Sequence, residues 1–255
     1  MKIFLTNDDG YDAEGLQCLY DVLSKKADCF VVAPDQGRSC CSHGVTTGSS
    51  LEVTSIANQQ WAVSGTTADC VRVGLIWLGL KPDWVISGVN HGGNLGVDIL
   101  YSGTVAGARE ANLLGIPAVA VSQYMRRDVA RDWSVSATRA DFALENIFRR
   151  APSVGGFWNV NLPALPPQID GLPPEIRECA PELQPLPFSL EDESEIGQIH
   201  GELKKTARSS LKKTVLYRSN YQERPRELGS DVELCFRGNT TLSWLKTDRV
   251  SMQVG

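Results

Sequence analysis

Two carboxylates stand side by side in "TNDDG", Asp8 and Asp9, directly after the apolar run "KIFL". Adjacent carboxylates repel each other unless a cation or a shared proton neutralises them, so the doublet asks for a counter-charge. Ser39 and Asn90 lie just beyond two other apolar runs, "CFVVAP" and "DWVISG". Carboxylate, hydroxyl and amide oxygens are the ligands that hard divalent cations such as Mg²⁺ and Mn²⁺ select. Asp8, Asp9, Ser39 and Asn90 are therefore candidate ligands of one such ion. The competing role for Asp8 is an Asx turn or a helix cap, where short carboxylates are common.

A second constellation is "GVNHGGNLGVDILYSGTVAGARE", residues 88 to 110, where Gly88, Gly92, Gly93 and Gly96 punctuate one loop. Glycine permits positive φ and close backbone approach to an anion. The "YSGT" that follows opens a helical pattern, whose N-terminal amides and partial positive charge suit a phosphate, with Ser102 and Thr104 adding hydroxyls. An ordinary N-cap explains the same residues. Neither a GxGxxG fingerprint nor a GxxxxGK[ST] loop is present. A metal beside a phosphate cradle implies phosphoryl chemistry.

Other side chains are less committed. His43, in "GRSCCSHGVTTG", could donate to a phosphate or a leaving group, or be merely solvated, as could His91 and His200. Arg38 could pair with an acidic neighbour or with a phosphate. Vicinal Cys40 and Cys41 lack a histidine base in motif context and make a weak case for a nucleophile.

The elements that must position these residues alternate. "KIFLT" (2 to 6) reads as a strand, "GLQCLYDVLSKK" (15 to 26) as a helix with Leu16, Leu19, Tyr20 and Leu23 on one face, and "CFVVAP" (29 to 34) as the next strand. Two β segments around "ANQQ", a helix over 66–80, a strand over 83–88, a helix over 104–115, a strand over 116–122, a helix over 137–151 and a strand over 157–163 follow. Aliphatic strands separated by helices predict a Rossmann-like α/β fold, a mainly parallel sheet covered on both faces. Ligands of such sheets bind outside the carboxyl ends of strands at the topological switch point, where the candidate residues fall.

Eight of the 13 prolines lie between Pro163 and Pro187, a density that prevents regular helix. The core (1–163) is expected to end there. The rest (164–255) reads as an appendage with hairpins, containing "LEDESE", "KKTARSSLKK" and two β-like stretches, "TVLYRSN" and "DVELCFRG".

Composition narrows the class. With a net charge of −5 there is no basic footprint for a nucleic-acid polymer. The apolar run "VGLIWLGL" is far short of the roughly 20 residues of a membrane span. "MKIFL" running into "TNDDG" leaves no signal-peptide pattern, so a cytoplasmic location is expected. The 7 cysteines, without CxxC spacing, suggest neither a zinc ribbon nor a disulfide framework, and most read as small buried apolar residues.

"NDDG" with Gly15 downstream, "VVAPDQGRS", "ISGVNHGGNLGVDILYSGTVAGAREANLLGIPAVAVS" and "NVNLP" resemble, in order and spacing, the SurE family of survival protein E nucleotidases. The resemblance covers roughly residues 1 to 163. It implies a metal-dependent phosphatase of nucleoside 5′- and 3′-monophosphates, a Rossmann-like core with one divalent ion per subunit, and homodimers or homotetramers that exchange C-terminal segments. The family's metal ligands fall on Asp8, Asp9, Ser39 and Asn90, and its phosphate contacts on Asn94, Ser102, Gly103 and Thr104. His43 matches a loop position that is histidine in some members. Two stretches depart from the family pattern: Thr67 stands where "GTPADC" has proline, beside the expected base or sugar pocket, and "GSDVELCFRGNTTLSWL" only faintly echoes the usual closing sequence.

The expected reaction is attack of a metal-oriented water on the phosphoryl group, with Asp9 able to take the water's proton. An aspartyl-phosphate at Asp8 is the chemical alternative. A receiver-type signalling domain also places an acidic doublet after its first strand, but "DWVISG" supplies no acceptor aspartate at its end. A nucleotide sensor without turnover is the remaining alternative.

Overall fold

The aliphatic runs form strands buried on both faces, and helices supply the cover. The structure, a computed structural model, describes residues 1–38, 41–151, 155–166, 172–192 and 214–247. It opens with β1 (Lys2–Thr6), α1 (Glu14–Leu23) and β2 (Asp28–Pro34), then β3 (Val53–Ala57) and β4 (Gln60–Val63) around the expected turn. There follow α2 (Thr67–Arg72), β5 (Trp84–His91), α3 (Gly103–Leu113), β6 (Ala118–Gln123), α4 (Trp133–Phe148) and β7 (Gly156–Leu162). The later elements are β8 (Ile176–Glu178), β9 (Phe188–Asp192), β10 (Val215–Ser219), α5 (Asp231–Phe236) and β11 (Thr240–Lys246).

Nine strands form one sheet in the order β3-β4-β2-β1-β5-β6-β7-β11-β8. The strands from β4 to β7 in that order run parallel, while β3 and β11 are antiparallel to their neighbours β4 and β7. Successive β1 residues serve opposite faces, as strand geometry requires. Ile3 and Leu5 pack with Leu16, Leu19 and Leu23 of α1 and Leu144 and Ile147 of α4. Phe4 packs on the other side with Cys70 and Val71 of α2 and Val105 and Ala108 of α3. Of the six described cysteines, Cys29, Cys70 and Cys235 are buried as small apolar residues would be, whereas Cys18 and Cys179 are half-buried and Cys41 is exposed.

Four expectations change. The helix over 66–80 is α2 continued by one π-helical turn, Val73–Trp77, which rests on Phe4: a Cβ at Gly74 would come 2.4 Å from its ring. The strand over 83–88 runs on to His91, because an irregularity between Ser87 and Asn90 lets β5 resume pairing with β6, so Asn90 lies within the strand's end. Gly88 makes that irregularity possible: its φ is +146°, and a Cβ there would stand 2.2 Å from the Val121 carbonyl oxygen.

The third change is "DVELCFRG", which is helix α5 and not a strand; Ser230 caps it, its hydroxyl accepting from Glu233 N. The fourth concerns the break at residue 163. β11 pairs with β7 and β8 with β11, so the segment after the prolines adds two strands to the sheet. The expected hairpin is present as β9 and β10, paired antiparallel apart from the main sheet. "KKTARSSLKK", His200 and the end of "LEDESE" lie outside the described residues.

Candidate active site

β1 lies between β2 and β5, all three parallel, so the turns after β1 and β2 and the end of β5 open at one edge of the sheet. The chain winds from β1 outward through β2 and returns to β5 on the other side, which makes this edge the switch point. Asp8, Asp9 and Asn90 are gathered there. Ser39 lies outside the described residues. The segment leading to it abuts the doublet, since Arg38 N donates to the Asp8 carbonyl at 2.7 Å. The Arg38 guanidinium pairs with Asp35, its acidic neighbour, at 3.3 Å.

The Asx turn is made by Asn7: its Nδ2 donates to the Gly10 carbonyl at 2.8 Å, and its Oδ1 accepts from Gly10 N at 3.3 Å. Asp8 is left free of that role. Its carboxylate is buried against the start of α3, where Thr104 Oγ1 donates to Asp8 Oδ1 and a Cβ on Gly103 would stand 2.8 Å from Asp8 Oδ2. Burial pushes the Asp8 carboxyl up to about 6 and the neighbouring Asp9 charge adds to this, while the Thr104 hydroxyl opposes it. A buried acid this reluctant to ionise, beside a second carboxylate, suits a cation. Asp9 is half-exposed, its Oδ2 accepting from His91 N at 3.0 Å. Asn90 Nδ2 donates to the Gly92 carbonyl at 2.8 Å, which commits its nitrogen and leaves Oδ1 as its acceptor end. Among the described residues no three His, Cys, Asp or Glu side chains converge.

The residues expected on the phosphate side are held by hydrogen bonds within the chain. Ser102 is the N-cap of α3, its hydroxyl oxygen accepting from Val105 N at 3.0 Å. Thr104 gives its hydroxyl proton to Asp8 and so orients that carboxylate. Asn94 is buried and gripped by β7: Asn161 Oδ1 accepts from Asn94 N at 2.8 Å, while Asn161 Nδ2 and Asn159 Nδ2 donate to its carbonyl at 3.0 and 2.9 Å. Asn94 Nδ2 donates to Ser122 Oγ at 2.7 Å.

His43 is engaged elsewhere. Its Nε2 lies 2.8 Å from Oε2 of the buried Glu110, on the third turn of α3, and Arg72 Nε lies 2.5 Å from the other oxygen. These partners hold the Glu110 carboxyl below the ordinary range against its own burial. Ser42 donates through its amide and hydroxyl to the Tyr101 and Leu100 carbonyls at 3.1 and 2.8 Å, so the loop carrying His43 is fastened along α3. Thr67, expected beside a base or sugar pocket, stands at the start of α2. It is buried, its Oγ1 donating to the Asn7 carbonyl at 3.0 Å, just before the acidic doublet.

A cavity of about 860 Å³ adjoins the glycine-rich loop, walled by Gly92 and Gly93, by 124–128 and by 219–222. Tyr221 Oη donates to the Gly93 carbonyl at 3.2 Å across its edge.

The family model for survival protein SurE matches residues 3–174. The chain belongs to the SurE family. A relative from Geotalea uraniireducens bearing the name 5′-nucleotidase SurE is 45% identical over 167 residues, 65% of this chain and 67% of that protein. One of the same name from Neisseria gonorrhoeae is 43% identical over 169 residues, 66% of this chain and 67% of its own. Similarity is not confined to the first two thirds: a Synechocystis sp. protein is 36% identical over 246 residues, 96% of this chain and its own full length. The crystal structure of the SurE protein from Aquifex aeolicus superimposes with a TM-score of 0.81 at 28% identity, covering 98% of this chain and 95% of that one.

Proposed function

We propose that this SurE protein is a phosphatase that hydrolyses nucleoside 5′- and 3′-monophosphates with one divalent cation, Mg²⁺ or Mn²⁺. The observation that carries the reading is the buried Asp8 carboxylate at the start of α3, beside Asp9 and Asn90 at the switch point. SurE relatives that bear the name 5′-nucleotidase supply the substrate class.

Asp8, Asp9 and the Asn90 amide oxygen would hold the cation, with Ser39 as the fourth ligand assigned from the sequence. When bound, the cation supplies Lewis acidity to a phosphoryl oxygen and to an attacking water. Thr104 fixes the rotamer of Asp8 through its hydroxyl. The His91 amide holds one oxygen of Asp9, leaving the other to take the proton of the water. The Gly103 amide at the helix N-terminus and the Asn94 Nδ2 hydrogen that Ser122 does not take would stabilise charge on the transferring phosphoryl group, while the Thr104 amide, like its hydroxyl, serves Asp8. His43, tied to Glu110, fastens the loop that follows Ser39 instead of serving the leaving group.

Phosphate release from a panel of nucleoside monophosphates, with Mg²⁺, Mn²⁺ or EDTA, tests the reading. Cation-dependent release that Asp8→Asn lowers at least a hundredfold is expected. Nucleotide binding without release by the unaltered protein would instead make it a sensor on a phosphatase scaffold.

A further inference from the structure

We infer that the cavity beside the glycine-rich loop is the nucleoside subsite of this centre, and that Arg127 in its wall selects bases presenting two hydrogen-bond acceptors. The inference rests on the phosphatase reading above. Gly92 and Gly93 lie between Asn90 and Asn94 in the chain, and Asn90 Nδ2 donates to the Gly92 carbonyl at 2.8 Å, so this wall of the cavity is tied to the proposed cation site. Its volume of about 860 Å³ is typical of small-molecule sites and ample for a nucleoside. Gly93 keeps the wall open: a Cβ there would stand 3.3 Å from Tyr221 Oη and 3.5 Å from Tyr124 Cβ. Met125, half-buried in the same wall, offers an apolar contact for a base.

The arginines around the cavity are not equivalent. Arg126 is held by Asp128 through a two-point pair, Nε to Oδ1 at 3.0 Å and Nη2 to Oδ2 at 2.5 Å. Arg131 Nη1 lies 3.4 Å from His91 Nε2, and Arg224 is bound to Asp98 at 2.5 Å. Arg127 is exposed in the cavity wall and, among the described residues, its planar fork of donors has no hydrogen-bond or ion-pair partner. That fork matches the O6 and N7 acceptors of guanine, whereas adenine sets a donor amine beside N7. The subsite should therefore favour guanine over adenine nucleotides.

The test compares kcat and KM for GMP, AMP and p-nitrophenyl phosphate, which has no base. The unaltered protein is expected to favour GMP over AMP by about tenfold in kcat/KM. Arg127→Ala should bring GMP to the level of AMP through KM, with kcat and p-nitrophenyl phosphate hydrolysis unchanged, and Arg127→Lys should restore less than half of the preference. An unaltered GMP to AMP ratio, an equal loss on p-nitrophenyl phosphate, or release from p-nitrophenyl phosphate but from neither nucleotide overturns the subsite alone. Absence of release from every monophosphate overturns the reading of the centre and the subsite with it.

Discussion

At the scale of the residue, Asp8 is expensive to the fold. Its folded carboxyl titrates near 6 against an ordinary 3.8, so between these values the folded chain keeps a proton that the unfolded chain has lost. For an acid whose folded pKa is raised, stability falls as pH climbs from about 4 to about 6 and stays reduced above that range. The shift corresponds to at most about 3 kcal/mol at neutral pH. In EDTA at pH 7.5, Asp8→Asn is thus expected to melt several degrees above the unaltered protein, with the gap closing near pH 4 in thermal scans. Equal melting temperatures at both pH values would mean that the carboxylate is not destabilised. The same scale explains what the sequence concealed. The placement of Asp8, Asp9 and Asn90 at one edge of the sheet was legible because strand ends are legible. Asn159, Asn161 and Thr67 were not, because each acts on a partner 60 or more positions away, as the Thr67 hydroxyl does on the Asn7 carbonyl. No local pattern encodes such a contact.

At the scale of the element, α3 shows how a helix start can be read two ways at once. "SGT" was both an N-cap and a phosphate cradle in prospect, and Ser102 is the cap while the first turn lies against Asp8. Gly103 is where the two roles meet, because only the absence of a Cβ lets the carboxylate approach the helix so closely. Gly103→Ala should keep the helix, since alanine is the better helix former. The new Cβ, 2.8 Å from Asp8 Oδ2, should displace the carboxylate and lower phosphate release by tenfold or more. Circular dichroism with the release assay separates these effects; full activity would show that the site tolerates a displaced Asp8. Helix α5 was misread for a different reason. Val232, Leu234 and Phe236 alternate as a strand would, yet Ser230 followed at the third position by Glu233 is a capping-box spacing, and Gly238 has a φ of +98° just past the helix end. The caps outvoted the alternation.

At the scale of the whole molecule, the parallel sheet was legible from its aliphatic runs, but the return of the chain after the prolines was not. β11 reaches the sheet from about 80 residues beyond β7, and register with a distant strand leaves no mark on its own sequence. What stands apart is the β9–β10 arm. Phe188 pairs with Ser219, Leu190 with Tyr217 and Asp192 with Val215, so Phe188, Leu190, Val215 and Tyr217 share one face of a two-stranded ribbon. All four are more than half exposed. A lone two-stranded hairpin is marginal in water, and an exposed apolar face of this kind calls for a covering surface. We propose that a second copy of this chain provides it, in a homodimer or homotetramer. Light scattering coupled to size exclusion should then find a dimer or tetramer for the unaltered protein. Phe188→Ser combined with Tyr217→Ser should yield a folded monomer, because neither side chain belongs to the sheet's core. A monomer before substitution would assign the arm's apolar face to some other partner, and an unchanged oligomer after it would place the contact between copies elsewhere on the molecule.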